Sequence, residues 1–418
     1  MRTLVIGNGG REHALVAGLA RDPAVTEVHA APGNPGMSAA QLHEVDPLDP
    51  ADVLALAERV GADLVVVGPE APLVAGVADV LRAKGFAVFG PDGAAAQIEG
   101  SKAFAKDVMA AASIPTAAAR VCETPADVEA ALDAFGAPHV VKDDGLAAGK
   151  GVVVTDDRAA AVAHAASCGR VVIEEYLDGP EVSLFALCDG TSVLPLQPAQ
   201  DFKRLLDEDR GPNTGGMGAY TPLPWAPPGL VDEVRERVLQ PAVDELARRG
   251  TPFVGLLYAG LALTSRGLRV IEFNARFGDP ETQPLLELLD TPLGEVLLAA
   301  ATGRLRDVGE LRWKPGFAVA VVMAAAGYPE SPRKGDVISG VDRVEAVPGL
   351  AVRQAGTARA ADGALVTAGG RVLAVTAVAE TLAGARDAAY GGVAQIAFDG
   401  AQYRRDIAAR VAADASAG

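Results

Sequence analysis

The sequence predicts a multidomain chain of α/β and α+β units: an N-terminal unit on a parallel sheet, a mixed central unit and a β-rich C-terminal unit. Three observations carry this. Over the first hundred residues β-branched runs alternate with alanine-rich helical stretches. From Ser101 the texture changes to short strand pairs between helices, and after the Pro-containing stretch Gly327 to Gly335 short strands and glycine turns dominate. The 418 residues are enough for several domains at roughly 100 to 200 residues each. The expected units are residues 1–100, 101–326 with a subdomain at 116–188, and 327–418.

In chain order, the parallel unit reads as the strand "TLVIG", a helix from Arg11 to Arg21, the strand "EVHAA", a second helix, "DLVVVG", a third helix and "FAVFG". The central unit reads as a helix from Lys102 to Ala112, the strand pair "HVVK" and "GVVVT", a helix from Arg158 to Ala166, and the strands "RVVIEEYL" and "VSLFALCD". A Gly- and Pro-dense loop beyond Gln197 leads to another helix and then to the strand pair "GLLYAGLALT" and "LRVIEFN". The last unit reads as "GDVISG", "VRQAGTAR" and "ALVTAGGRVLAVTAVA".

Charge and composition exclude several function classes. A net charge of -17 argues against nucleic acid or an anionic membrane as partner, because both are bound through surplus Lys and Arg. The longest apolar run, Phe317 to Ala326, is far short of the roughly 20 residues that span a bilayer. The opening Met1 to Gly7 reads as a strand and not a signal peptide, so the cytoplasm is expected. Cys122, Cys168 and Cys188 have no paired spacing, which fits a reducing compartment, and the histidines form no metal-ligand pattern. A metal would then be a hard ion held by oxygens, as Mg²⁺ is.

Four segments carry chemistry. "VIGNGGREHAL" is a glycine-rich strand-to-helix turn whose bare amides at Gly9 and Gly10, beside Arg11 and Glu12, favour a phosphate. The second strand ends in His29-Ala30-Ala31-Pro32-Gly33 without the acid that a dinucleotide ribose needs. Gly68, Pro69 and Glu70 supply a further loop at the same carboxyl edge. "VVKDDGLAAGKGVVV" is a hairpin loop and not a Walker motif, since a strand and not a helix follows. Its Gly145, Gly149 and Gly151 let the backbone close over a triphosphate that Lys142 and Lys150 can reach. Glu174, Glu175, Tyr176 and Leu177 form a strand-end hinge on which a planar base can lie, with Glu181 placed for ribose hydroxyls. In "RVIEFNARFGDPETQ", Glu272, Asn274 and Arg276 share one face of a strand while Ile271, Phe273 and Ala275 take the other, so one face reads as a site and the other as core.

Read together, "GNGGREHAL", "VGPEAPL", "EGSKAF", "DGLAAGKGV", "RGPNTGGMGAY" and "FNARFGDPETQ" resemble the motif series of the glycinamide ribonucleotide synthetase family, ATP-grasp ligases of purine biosynthesis, over essentially the whole chain. The resemblance implies an ATP-grasp core with a mobile lid. It implies that ATP, with Mg²⁺ or Mn²⁺, phosphorylates glycine, and that 5-phosphoribosylamine attacks the glycyl phosphate to give glycinamide ribonucleotide, ADP and phosphate. It also implies a monomer whose partners are small molecules. Carried over by position, Glu272 and Asn274 resemble the metal ligands, Arg276 the holder of the transferred phosphate, and Lys102 and Lys142 the ATP-phosphate lysines. Residues 145–151 resemble the lid, and Glu174 to Leu177 with Glu181 the nucleoside site. Asp201, Lys203, Asn213, Thr214, Gly215 and Gly216 would face the acceptor substrates, and Asp279 and Glu281 the glycine ammonium.

The chain departs from the family pattern at Asp143, where the lid usually begins Lys-Ala-Asp-Gly, and at Phe202, where His is usual. The strand "LLYAGLAL" lacks the Glu that related enzymes often add as a metal ligand, which leaves the number of metals open. Competing readings are a nicotinamide-dependent oxidoreductase, from the first glycine run, and a degenerate ATP-binding module, from Asp143 and Phe202.

Overall fold

The computed structural model describes residues 1–146 and 151–416. The N-terminal unit opens with β1 (Arg2–Gly7), α1 (Gly10–Ala20), β2 (Glu27–Pro32), β3 (Gln41–Leu42), α2 (Pro50–Val60), β4 (Leu64–Val67), α3 (Glu70–Val74), α4 (Val77–Ala83) and β5 (Ala87–Phe89). The five strands form a parallel sheet in the order β3-β2-β1-β4-β5. β4 is apolar throughout and β1 is buried from Thr3 to Gly7, as central strands covered on both faces require. The order reverses between β1 and β4, so the turns after those strands, Gly7–Gly10 and Gly68–Glu70, meet at one carboxyl edge. Gly7 has φ +125, and a Cβ on it would stand 2.6 Å from the Glu12 side chain; only glycine allows the strand to turn so closely over that carboxylate.

After α5 (Gly93–Gly100) and α6 (Lys102–Ala111), the chain builds a small sheet from β6 (Ala119–Cys122), β7 (His139–Asp143), β8 (Val152–Thr155) and β9 (Val171–Glu174) in the order β6-β9-β7-β8, backed by α7 (Pro125–Phe135) and α8 (Arg158–Ser167). This subunit has its own core, in which Leu132, Val141, Ala161 and Ile173 take part. The next strand, β10 (Glu181–Asp189), was expected in the same unit, but it leaves it: β10 pairs with β16 (Val254–Thr264) along nine residues in a separate sheet. Its alternate residues fill two larger cores, Val182, Leu184 and Ala186 on one side and Phe185 and Leu187 on the other, and the small sheet offers no such faces. That second sheet has the order β11-β10-β16-β17, with β11 at Val193–Pro195 and β17 at Gly267–Asn274.

Between β11 and β16 lie β12 (Gln200–Asp201), β13 (Arg204–Leu206), β14 (Arg210–Asn213), β15 (Gly218–Thr221), α9 (Leu230–Val234) and α10 (Gln240–Arg248). After β17 come α11 (Thr282–Leu288), α12 (Leu293–Ala301), β18 (Phe317–Ala324), α13 (Val341–Glu345), β19 (Leu350–Gln354), β20 (Thr357–Arg359), β21 (Leu365–Thr367), β22 (Arg371–Ala379), α14 (Leu382–Val393) and α15 (Ala409–Ser416). The last large sheet runs β12-β15-β18-β22-β19. It therefore crosses the expected boundary at residue 327: β18 hydrogen-bonds to β22, and two strands from the 200–221 region extend the same sheet. The helix α14, unexpected in a β-rich unit, buries Leu382, Ala385, Ala389 and Val393, a stripe at helical spacing.

Candidate active site

β17 delivers the central residues. It pairs with β16 as Gly260↔Glu272 and Tyr258↔Asn274, with a bulge at Gly260/Leu261. Phe273 is buried in the core behind it, and the side chain of Glu272 is half-buried on the opposite face. Burial would raise the Glu272 carboxyl, but Lys203, Lys142, Lys102 and Arg276 outweigh it and hold the group below the usual carboxylate range. Glu272 is thus an ionised carboxylate facing cations from four separate segments. Among the described residues no group of three or more His, Cys, Asp or Glu could hold a metal unaided. One carboxylate and one amide oxygen match the few side-chain ligands by which Mg²⁺ is held at nucleotide sites.

Arg276 stands differently from the expectation of a free phosphate holder. Its guanidinium is within 3.2 Å of Glu70 and 2.8 Å of Glu99, and it donates to Asn274 Oδ1 at 3.1 Å. Burial opposes the charge, but Glu99 and Glu70 raise the guanidinium above its ordinary value. An ion pair between Arg276 and Glu272 is not what forms; the partners come from α3 and α5.

Lys142 Nζ lies 3.0 Å from Glu174 and donates to the Ile271 carbonyl at 3.0 Å, while Lys106, which sequence reasoning did not single out, takes the other Glu174 oxygen at 3.1 Å. The Glu174 side chain therefore points inward to two lysines. The hinge after it is outward: Glu175 N–H donates to the Ala118 carbonyl, its carboxylate meets Arg266 at 2.9 Å, and Tyr176 is 48% exposed. Leu177 is half-buried. Lys102 donates to the Gly145 carbonyl at 2.9 Å, and the Gly151 carbonyl accepts from Asp143 N at 2.7 Å. Gly149 and Lys150 lie outside the described residues. Asp144, also unforeseen, fastens the loop's first strand to α6, accepting from Ser101 Oγ and Ala103 N at 3.0 Å each.

Opposite this set, Lys203 lies 2.7 Å from Glu181. Burial raises the Asp201 carboxyl to about 7; Lys203 opposes this, and Glu281, Glu181 and Glu272 reinforce it. A carboxyl that exchanges its proton near neutrality suits a step that must accept one. Thr214 Oγ1 donates to the Lys203 carbonyl at 2.8 Å, and Asn213 reaches the Val152 carbonyl at 3.4 Å. Glu281 is buried and accepts from Tyr258 at 2.8 Å and Ser183 at 3.2 Å.

At the edge of the parallel sheet, Glu12 accepts from Gly9 N at 2.6 Å, and Arg11 N donates to Asp279 at 3.1 Å. One of the two amides expected to face a phosphate, that of Gly9, is thus already met by a carboxylate, as is the neighbouring amide of Arg11. A Cβ on Gly10 would come within 2.6 Å of Gln283, and one on Gly68 within 2.2 Å of Glu12. The Arg11 guanidinium sits 3.6 Å from Glu12 and 3.8 Å from Glu70, the residue that follows Pro69, and its Nε has no hydrogen-bond partner. Glu70 therefore links this edge to Arg276 and, through it, to Asn274, whereas Asp279 bonds the start of α1.

Phe202 packs under Arg404, whose guanidinium carbon is 4.9 Å from the ring centroid. Arg404 is 1% exposed and also meets Asp209 and Asp406. Its contacts involve residues some two hundred positions apart, which no local pattern could reveal.

Comparison with known proteins agrees along the chain. Residues 1–99, 100–282 and 318–410 match the phosphoribosylglycinamide synthetase N domain, ATP-grasp (A) domain and C domain. A phosphoribosylamine–glycine ligase of Streptomyces coelicolor is 66% identical over 415 residues, covering 99% of this chain and 100% of the relative. One from Leifsonia xyli is 56% identical over 416 residues, covering 98% and 100%. The crystal structure of a phosphoribosylamine–glycine ligase from Thermotoga maritima superposes with a TM-score of 0.84 at 34% identity, covering 97% of this chain and 100% of that one. The biotin carboxylase domain of a Hydrogenobacter thermophilus carboxylase, solved with MgADP and bicarbonate, shares the fold at TM-score 0.74 and 17% identity, covering 96% and 91%. The motifs, the three-part architecture and these likenesses over nearly the full length agree, and the chain belongs to the phosphoribosylglycinamide synthetase family.

Proposed function

We propose that the chain joins glycine to 5-phosphoribosylamine, using ATP, and releases glycinamide ribonucleotide, ADP and phosphate. The observation that carries the reading is Glu272, beside Asn274 on β17, whose carboxyl Lys203, Lys142, Lys102 and Arg276 together hold below the usual carboxylate range despite burial. A free carboxylate is a poor electrophile, so glycine must first be activated, and phosphoryl transfer needs chiefly positioning and neutralised charge. Transfer of the γ-phosphoryl group to a glycine oxygen makes the acyl phosphate. Attack by the amine then forms the C–N bond, breaks the C–O bond to phosphate and releases a proton.

Glu272 and Asn274 fit as side-chain ligands that would hold Mg²⁺ or Mn²⁺, which when bound would supply positive charge against the ATP phosphates. Lys102 and Lys142 supply positive charge on the lid side, and Lys142 is oriented there by Glu174 and the Ile271 carbonyl. The hinge leaves the Glu175 carbonyl and the Leu177 amide for adenine, because the Glu175 amide is bonded to Ala118. A carboxyl raised to about 7 supports Asp201 as the group that accepts the amine proton. The Gly9–Glu12 and Asn213–Gly216 loops would take the acceptor. A monomer acting in the cytoplasm completes this reading, with the three unpaired cysteines as its support; among the described residues no helix is long and apolar enough to cross a membrane.

The deciding experiment measures ADP release with glycine and 5-phosphoribosylamine added singly and together. Release that requires both is expected. Release independent of either substrate overturns the ligase reading.

A further inference from the structure

We infer that Arg371, contributed by the C-terminal unit, is a positioning residue for the acceptor side of the site; the inference rests on the ligase reading above. Arg371 opens β22 opposite Ala324, next to a bulge between Met323 and Ala324. A bulge there re-aims the neighbouring side chain out of the ladder. The guanidinium leaves its own sheet and ends between two loops of the central unit. Its Nη1 group donates to the carbonyls of Gly215, Gly216 and Asp279, and Nη2 lies 3.5 Å from Asp279 Oδ1. Burial disfavours the charge, but Asp279 and other neighbours hold the group firmly protonated.

The loops are shaped around this side chain. A Cβ on Gly215 would stand 3.0 Å from the guanidinium carbon. Gly216 has φ +111, and a Cβ on it would meet Pro280 at 2.5 Å. Gly216 is therefore required by its backbone conformation and the close approach of Pro280, and Gly215 leaves the guanidinium of Arg371 little room to spare. Tyr328, also from the C-terminal unit, accepts from Gly215 N at 2.9 Å and fixes the turn from its other side.

Asp279 passes the constraint on. Its carboxylate also accepts from Arg11 N at 3.1 Å and from Gln283 Nε2 at 3.0 Å. A continuous chain of contacts thus runs from β22 through Arg371 and Asp279 to the start of α1. It sets the Gly9–Glu12 loop against the Asn213–Gly216 loop, the two segments read as holding the acceptor. Among the described residues, no hydrogen-bond or ion-pair partner of Arg371 belongs to the nucleotide set of Lys102, Lys142 and Glu174 to Leu177. A lysine would restore charge opposite Asp279, but as a compact ammonium it cannot span three carbonyls and a carboxylate in the fixed geometry of a guanidinium.

The test uses the full chain with Arg371→Met, Arg371→Lys and Tyr328→Phe, reading kcat and the KM for phosphoribosylamine, glycine and ATP, together with the thermal midpoint. Arg371→Met is expected to raise the phosphoribosylamine KM at least tenfold while the ATP KM stays within threefold. Arg371→Lys should recover part of that loss, and Tyr328→Phe should give a smaller change, severalfold, in the same parameter. If Arg371→Met fails to fold, the lysine and Tyr328 variants decide. A common rise in all the KM values, or an unchanged phosphoribosylamine KM, overturns the inference. If the unmodified chain shows no release of ADP dependent on phosphoribosylamine, it is the ligase reading that fails.

Discussion

Neighbouring strand residues point to opposite faces, and at residues 142 and 143 this decides chemistry. Lys142 turns inward to Glu174, while Asp143 stands beside the Cys168 thiol. The carboxylate that departs from the family pattern is thus directed away from the lysine next to it. Asp143→Ala should change the ATP KM by less than about threefold, under about 0.7 kcal/mol on the scale where tenfold is 1.4. Lys142→Ala should raise it by well over tenfold, because it removes a cation and leaves Glu174 with Lys106 alone. A large gain in ATP affinity from Asp143→Ala would show that the carboxylate faces the phosphates and would revive the degenerate-module reading. At Glu272 the expectation is a folded but inactive protein: Glu272→Gln keeps the shape and removes the charge that the surrounding cations stabilise. Turnover at limiting Mg²⁺ should fall roughly a hundredfold with the thermal midpoint little changed, and near-normal turnover there would contradict the role of Glu272 as a metal ligand.

Element ends carry much of the remaining function. α1 and α3 both start at the carboxyl edge of the parallel sheet, so Arg11 and Glu70 come within 3.8 Å although they are far apart in sequence. Arg11 also counters two other acids, since it lowers both Glu12, which burial raises, and Asp279. Arg11→Ala should therefore raise the phosphoribosylamine KM about tenfold and leave the ATP KM within about twofold, because among the described residues no hydrogen bond or ion pair joins this edge to the lid or the hinge. A collapse of ATP affinity instead would show that the N-terminal loops serve the nucleotide. Glu70 shows how an element can be read correctly and its partner missed, while Glu99 sits on α5, a helix that the sequence reading did not include. The turn before α3 was legible from "VGPEAPL", but the pairing of Glu70 with Arg276 depends on α3, α5 and β17 converging.

Across the whole molecule, the three units are joined by buried polar contacts that give a pH dependence. His13 on α1 accepts from Gln354 N on β19 at 2.8 Å, and burial, reinforced by Arg353, lowers its pKa to about 3 from 6.5. The folded state keeps His13 neutral where the unfolded chain would protonate it. Its contribution is therefore complete above pH 6.5 and is lost as pH falls toward 3. Between pH 6.5 and 5 the loss should be about 2 kcal/mol, at about 1.4 per unit. Chemical unfolding at those two pH values should show this drop in the wild-type chain and a clearly smaller one in His13→Gln, and equal drops would mean that other groups govern the acid response. The sequence by itself determined what depends on near neighbours: the glycine turn at β1, the shared face of Glu272 and Asn274, the hairpin of Lys142 and the helical and strand periods. Those follow from chain geometry over a few residues. Tertiary structure alone decided which charges meet. It placed β10 in the second sheet, carried the C-terminal sheet across residue 327 into the 200–221 strands, gave Arg276 to Glu70 and Glu99, and brought Arg371 and Arg404 to loops more than 150 residues away. Partners at such separation leave no period or spacing in the sequence, because burial and charge compensation are satisfied only once the sheets have packed.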